Sequence, residues 1–392
     1  MPGTLIDRPV TTTTAQAADV AGKQLLAAVA DIAPLLAADA GEAEQQGHLT
    51  ARTVEAMRSR DLWRMRLCRD LGGLELPIVV QIEVLTALAA ADPSSAWCTM
   101  VANNSVAVLG ATMPGPAIDR IFAHGVPTCS IVAAPGGKAT ESREGYVLNG
   151  TWRLASGIDH AEWVHATALV DGDPSRLLPL ALPVSDLEVL DTWHAVGLAA
   201  TGSNDFTLTD YYLPAELAGR AANPFGQLRG TRRYDLVGLR HLESYEHLAF
   251  ALGVGRRAVD ELRGLLAQGF PGRHTADREV VQTELAQAEI DLNAIAAYAY
   301  AVYAKVDDAA LGNLKSWSDA DRHLPRALAV KATQSALRCT ELAFHRAGGV
   351  AVRRPNVLEK LLRDMSVAAT HVIVDDTALA TYGQHLIESF DA

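Results

Sequence analysis

The stretch from Gly145 to Ser203 constrains this chain most, because it is written as β-structure inside a sequence whose other long segments carry helical periodicity. Tyr146, Val147 and Leu148 are followed by Asn149-Gly150 and then by Thr151, Trp152 and Leu154. Read locally, these are two strands about an Asn-Gly turn, whose glycine accepts the positive φ of a tight hairpin. Short alternating runs broken by Gly, Pro and Asp extend from Val126 to about Pro214. They predict an antiparallel β-domain.

Helices are expected on both sides of it. Val20, Leu25, Val29, Ile32, Leu35 and Leu36 recur at helical spacing from Ala17 to Ala40. Further helices are expected at about 50–60, 78–91 and 94–111, the last begun by the cap and proline of Asp92-Pro93-Ser94. Beyond Val237 the pattern is helical to the end. Val281, Leu285, Ala288, Leu292, Ile295, Ala299 and Val302 form one seam, and Leu328, Ala332, Ser335, Cys339 and Leu342 another, as in a helix bundle. The expected division is a mobile tail at 1–14, a helical domain at 15–125, the β-domain at 126–218, a loop at 219–236 and a helical bundle at 237–392. Arg220, Arg229, Arg232 and Arg233 fall in or beside that loop, which reads either as a moving lid or as a solvated connection.

Several function classes lack support. With a net charge of −12 and no Lys/Arg run, nucleic acid is not an expected partner. Charges break the apolar runs well short of the ~20 residues that span a bilayer, and the N-terminus lacks the order of a signal peptide. A soluble, cytoplasmic protein is expected. Cys68, Cys98, Cys129 and Cys339 lie far apart, which suggests reduced thiols and neither a zinc knuckle nor a redox dithiol. Neither His160 with His165 nor His241 with His247 has the spacing of a helical zinc site, so no metal is assigned. Gly253-x-Gly255-x-x-Ala258 imitates a dinucleotide fingerprint but sits in a helical stripe of Leu248, Leu252, Val259 and Leu262, where close helix packing explains it. There is no Gly-x-Ser-x-Gly elbow for a serine nucleophile, and Asp171-Gly172-Asp173-Pro174 reads as a turn.

Two motifs bear a family resemblance: Trp152-x-x-x-Ser156-Gly157-x-Asp159-His160-x-x-Trp163, and Asp191-x-Trp193-x-x-x-Gly197-Leu198-x-x-Thr201-Gly202-Ser203. Both resemble the flavin-contacting β-domain of the acyl-CoA dehydrogenase fold, and more narrowly its flavin-dependent monooxygenases, the oxygenase halves of two-component systems. Ala347-Gly348-Gly349 followed by Arg363-Asp364 and His371 is similar to the same group. The resemblance implies an α+β fold of helical domain, central antiparallel β-domain and C-terminal four-helix bundle, assembled as a homotetramer. It implies reduced FMN or FAD supplied by a separate flavin reductase, a C4a-hydroperoxide formed with O2, and oxygen transfer to a small aromatic or amine substrate. Ser130, Ala133, Trp152, Ser156, Gly157, Thr201, Gly202 and Ser203 are the implied flavin-binding residues. The helix beginning Ser95-Ala96-Trp97-Cys98 resembles one that lines the substrate pocket, through Trp97, Asn104 and Ser105; phenol-hydroxylating members often carry a histidine where this chain has Asn103-Asn104-Ser105.

Ser156 and His371 are the implied catalytic residues, and each has a second reading. Ser156 is either a turn serine bonded to local backbone or a hydroxyl donor to flavin N5. His371 is either a bundle histidine satisfied by a carbonyl or a group that exchanges a proton with substrate or flavin peroxide, as an ordinary pKa of about 6.5 allows. A dehydrogenase acting on a thioester would need a carboxylate base where Thr370, His371 and Val372 stand. A catalytically silent scaffold is the remaining alternative.

Overall fold

A computed structural model describes residues 12–219, 239–269, 275–311 and 319–388. Most of the expected tail, the arginine-rich connection with Arg220, Arg229, Arg232 and Arg233, and the side chain of His241 lie outside the described residues. The first helical block contains α1 (Thr12–Gln46), α2 (Ala51–Arg58), α3 (Ile78–Ala91), α4 (Pro93–Thr112) and α5 (Gly115–Ile121). The strands are β1 (Cys129–Ser142), β2 (Gly145–Ala155), β3 (Trp163–Val170), β4 (Leu177–Pro183), β5 (Glu188–Leu190) and β6 (Asn204–Pro214). The second block contains α6 (Leu239–Gln268), α7 (Glu279–Ala310), α8 (Asp319–Ala347), α9 (Val357–Ala368) and α10 (Thr377–Glu388).

The strands form one six-stranded sheet in the order β4-β3-β1-β2-β6-β5. Its pairings are antiparallel except β1 with β3, which run parallel. The hairpin expected at Asn149-Gly150 is not there. β2 runs unbroken through both residues, and the chain reverses instead between Ser142 and Gly145. Gly150 answers to a different demand: a Cβ on it would lie 2.3 Å from Gly137 Cα and 2.6 Å from Gly136 O, so the glycine permits two backbones to touch.

Two apolar cores meet along α4. The helices before and after the sheet share one core, in which Leu25, Val29, Ile32 and Leu36 of α1 join Ile82, Leu85 and Leu88 of α3 and Leu248, Leu252 and Val259 of α6. By length and apolarity α1 could cross a membrane, but those four residues are buried against the other helices. The other core joins the sheet to the far half of α4 through Val106 and Leu109. As the sequence led us to expect, Asp92 caps α4, accepting from Ser95 N–H at 2.8 Å, with Pro93 in its first turn. Every residue from Pro93 to Met100 is buried, so Trp97 is fixed between the two cores. The dinucleotide-like glycines lie inside α6, where a Cβ on Gly253 would meet Thr86 O of α3 at 2.3 Å. They serve helix packing.

Candidate functional site

The two separated motifs of the β-region meet in space. Gly157, in a left-handed turn after β2, donates its N–H to Thr201 O at 2.8 Å. Asn204 donates to Asp159 Oδ2 at 3.3 Å. Gly202 has φ +52° and lies so close to Asp159 that an added Cβ would stand 2.0 Å from Oδ2. Only glycine meets both demands.

Inside this junction the hydroxyls form a chain with a fixed direction. Trp97 Nε1–H, which can only donate, reaches Ser156 Oγ at 3.2 Å. At the far end Thr201 Oγ1 donates to Leu198 O at 2.9 Å, which uses its one hydrogen. Ser203 Oγ is 2.7 Å from Thr201 Oγ1 and 2.6 Å from Ser156 Oγ. With Thr201 donating to Leu198 O, the order that follows is Ser203 to Thr201 and Ser156 to Ser203. With its hydrogen spent, Ser156 keeps one acceptor lone pair. In that order Ser156 presents an acceptor where a donor to flavin N5 was expected.

The other face of Trp97 carries the imidazoles. Its ring makes edge contacts with His371 (5.7 Å between centroids), His247 (5.4 Å) and Phe250 (5.4 Å), and His247 stacks on His371 at 4.4 Å. Ser156 and His371, 215 positions apart by their numbers (371 − 156), therefore touch one indole. His371 does not keep a near-neutral pKa. Burial lowers it to about 4, and burial together with His371 pulls His247 well below its ordinary value. Both rings are neutral at pH 7.

The remaining expected site residues are placed as follows. Ser130 donates to the backbone O of Ser156 at 2.8 Å, tying β1 under the cluster. Ala133 is exposed in a bulge of β1 between Val132 and Pro135. Trp152 is fully buried in the sheet core, stacked on Phe206 and donating to Thr167 O at 2.7 Å, so its indole is not part of the cluster. Ser105 and Asn104 are bound to protein partners: Ser105 donates to Ser130 O at 2.5 Å, and Asn104 accepts from Arg66 Nη1 at 2.7 Å. Arg66 is also paired with buried Glu246 at 3.2 Å. His247 and Phe250 were not anticipated as site residues. Their signal in the sequence was one polar ring within the buried stripe of α6, three residues from an aromatic on the same face.

The Arg363-Asp364 pair holds the Thr201–Ser203 loop from behind. Asp364, buried, accepts from Leu198 N–H at 2.6 Å and is paired with Lys360 at 2.6 Å. Lys360 also reaches Asp92 at 3.4 Å, the cap of α4. Burial raises Asp364, but the ammonium and the Leu198 N–H both favour its charge, and flanking carboxylates hold Lys360 protonated. Arg363 ties the loop to α1 through Val196 O at 2.9 Å and Glu44 at 3.0 Å.

These burials fix a pH dependence. His160 and His165 are, like His371, lowered by burial to about 4, and burial pulls His247 well below its ordinary value. Between pH 6.5 and 4 the unfolded chain takes up protons that the native protein does not, so stability falls as pH falls through that window, by on the order of 1.4 kcal/mol per pH unit for each group at most. Glu246, raised to about 7 by burial while Arg66 draws it back, has the opposite sign: it stabilises at low pH and loses that contribution as pH rises from about 4.5 towards 7. The four histidines oppose Glu246 and three other carboxyls that burial raises, Glu83, Asp159 and Asp364, and between pH 7 and 5 the histidines carry the larger part. The midpoint of thermal unfolding is expected to drop between pH 7 and pH 5 in a calorimetric series, and a flat or rising midpoint would contradict these assignments.

Residues 245–376 match the family described as Acyl-CoA dehydrogenase, C-terminal domain. The chain is 27% identical over 393 residues to a pigment production hydroxylase of a Rhodococcus species, covering 94% of this chain and 98% of that one. It is 25% identical over 386 residues to an FADH(2)-dependent resorcinol hydroxylase, oxygenase component, of a Rhizobium species, covering 93% and 94%. Among solved structures, XiaF from a Streptomyces species in complex with FADH2 and glycerol superimposes with a TM-score of 0.86 at 23% identity, covering 96% of this chain and 98% of that one. Fold, C-terminal domain and relatives that run nearly its whole length agree: the chain has the acyl-CoA dehydrogenase fold and is similar to the flavin-dependent monooxygenases built on it.

Proposed function

We propose that the Ser156–Trp97–His371 cluster binds a reduced flavin, FMN or FAD, and that the protein uses it with O2 to place one oxygen atom on a small aromatic substrate. The observation that carries this reading is the single indole that joins the hydroxyl chain to the imidazole pair. The residues present fit such a ring. Among the described residues no carboxylate bonds to any member of the cluster, and the lone pair left on Ser156 matches the N–H that a flavin carries only when reduced. Leu154, two residues before Ser156, has φ +63° and 61% of its surface exposed, which offers an apolar face.

Ser130, Ser156, Thr201 and Ser203, with the backbone of the Ala133 bulge, would hold the flavin, whose chemistry when bound is the delivery of electrons to dioxygen. Trp97, Phe250 and the neutral histidines keep water from the reacting groups. A dehydrogenase reading lacks its base, since Thr370, His371 and Val372 supply no carboxylate. An oxygenase component needs reduced flavin from elsewhere, which we assign to a separate reductase acting at least through diffusible flavin. Exposed Ile290 and Tyr298, with Ala294, Ala297 and Ala301 along the same side of α7, support self-association as a homotetramer, to be read by light scattering on the purified protein.

The test supplies anaerobic protein and reduced flavin with 18O2 and a panel of phenols and indoles. One labelled oxygen in a product is expected. Passage of all flavin electrons to hydrogen peroxide with every substrate would overturn the reading.

A further inference from the structure

We propose that His371 serves this reaction as a fixed hydrogen-bond donor through Nε2–H, not as a proton acceptor, and that Arg326 is the positioning residue that holds it so. Only the identity of what the N–H meets rests on the function proposed above.

His371 stands on the turn that leaves α9, with φ −71° and ψ 139°, and opens the short helical turn Val372–Val374. Its Nδ1 accepts the N–H of Ile373 at 3.3 Å. The same turn is gripped from α8, where Arg326 donates Nε to Ile373 O at 2.9 Å and Nη2 to Val372 O at 2.7 Å. Both backbone groups of Ile373 are thereby committed. A neutral imidazole has one N–H, and a nitrogen that accepts cannot carry it, so the hydrogen is on Nε2. Burial keeps the ring neutral.

The surroundings offer no competing control. Trp97 of α4 and His247 of α6 pack on the ring, and His247 is itself neutral. The elements around it carry charged groups, among them Arg326 and Lys331 on α8, Lys360 and Asp364 on α9, Asp375 after its own turn and Glu246 on α6, which is paired with Arg66; among the described residues none hydrogen-bonds to the imidazole. To accept a proton at Nδ1, His371 would have to break the Ile373 bond. To accept at Nε2 it would need the other tautomer, which sets N–H against N–H at Ile373. The geometry closes both routes and leaves a donor aimed from a rigid turn.

The first arm needs no flavin. Protein labelled with 15N-histidine is examined by long-range 1H–15N correlation at pH 7, the His371 signal being assigned by its absence in His371→Gln. A pyridine-type Nδ1 with a pyrrole-type Nε2–H is expected, and Arg326→Met is expected to average the two. A protonated Nδ1 or an imidazolium in the wild type would overturn the tautomer, and an unchanged signal in Arg326→Met would overturn the positioning role.

The second arm measures labelled product per reduced flavin in two side-chain mimics. Glutamine sets an amide N–H near the position of Nε2, whereas asparagine sets it near Nδ1. His371→Gln is expected to stay within about 10-fold of wild type, while His371→Asn and His371→Ala lose on the order of 100-fold. A proton acceptor would lose about 10²–10⁴-fold in both amides alike, and that outcome overturns the donor role. If wild type itself transfers no oxygen, the function proposed above fails, and the spectroscopic arm still decides the tautomer.

Discussion

Ser156→Ala is expected to weaken binding of reduced flavin on the order of 10-fold and to cut product per reduced flavin by about 100-fold, with the lost electrons recovered as hydrogen peroxide. The hydroxyl is the second link of a directed chain, and its removal leaves Trp97 Nε1–H without an acceptor and Ser203 without its donor. Stranding a buried donor costs about 1–3 kcal/mol, so the variant should still fold. Circular dichroism and an anaerobic flavin titration separate the two effects. A variant that binds reduced flavin and couples oxygen like wild type would show that this hydroxyl does not face the flavin.

Asp364→Ala is expected to be the most destabilising single change at the site. The carboxylate is buried, and its loss removes the partner of Lys360 at 2.6 Å and the acceptor of Leu198 N–H at 2.6 Å. Breaking a buried ion pair from one side costs about 3–5 kcal/mol, a fall in thermal midpoint on the order of 10 °C. Asp364→Asn keeps an acceptor for Leu198 and should fall between the two. Leu198 has φ +50°, an uncommon conformation for a leucine. Releasing it should also disorder Thr201 and Ser203, so reduced-flavin affinity should drop together with stability. Unchanged thermal stability in Asp364→Ala would remove the structural role given to this pair.

Much of this arrangement was legible in the amino-acid order. Helix periodicity located α3 and α4 to within about two residues, since both are long and bury regular stripes. The Ser156 and Thr201–Ser203 motifs were visible because their glycines and hydroxyls stand at spacings that packing alone does not explain. Gly150 misled, because a glycine after asparagine marks a turn in local chemistry while here it answers to β1 lying against it, a contact between residues distant in sequence. Asn104 and Ser105 were ambiguous for a similar reason. A polar side chain on a buried helix can face a ligand or a neighbouring element, and only the Arg66 and Ser130 partners decide which. His247 was hidden because its neighbours Trp97 and His371 come from segments 150 and 124 positions away by their numbers (247 − 97 and 371 − 247). The direction of the hydroxyl chain, in which Ser156 presents an acceptor, exists only once both of its ends are placed.

The proposed function makes this cluster a site shaped for a flavin in its reduced state. Anaerobic equilibrium titration of the wild-type protein with reduced and with oxidised FMN and FAD tests it most directly. One reduced flavin is expected to bind at micromolar or lower concentration, at least about 10-fold more tightly than its oxidised form, the equivalent of one hydrogen bond of roughly 1.4 kcal/mol. Equal affinity for the two oxidation states, or no binding of either, would contradict it.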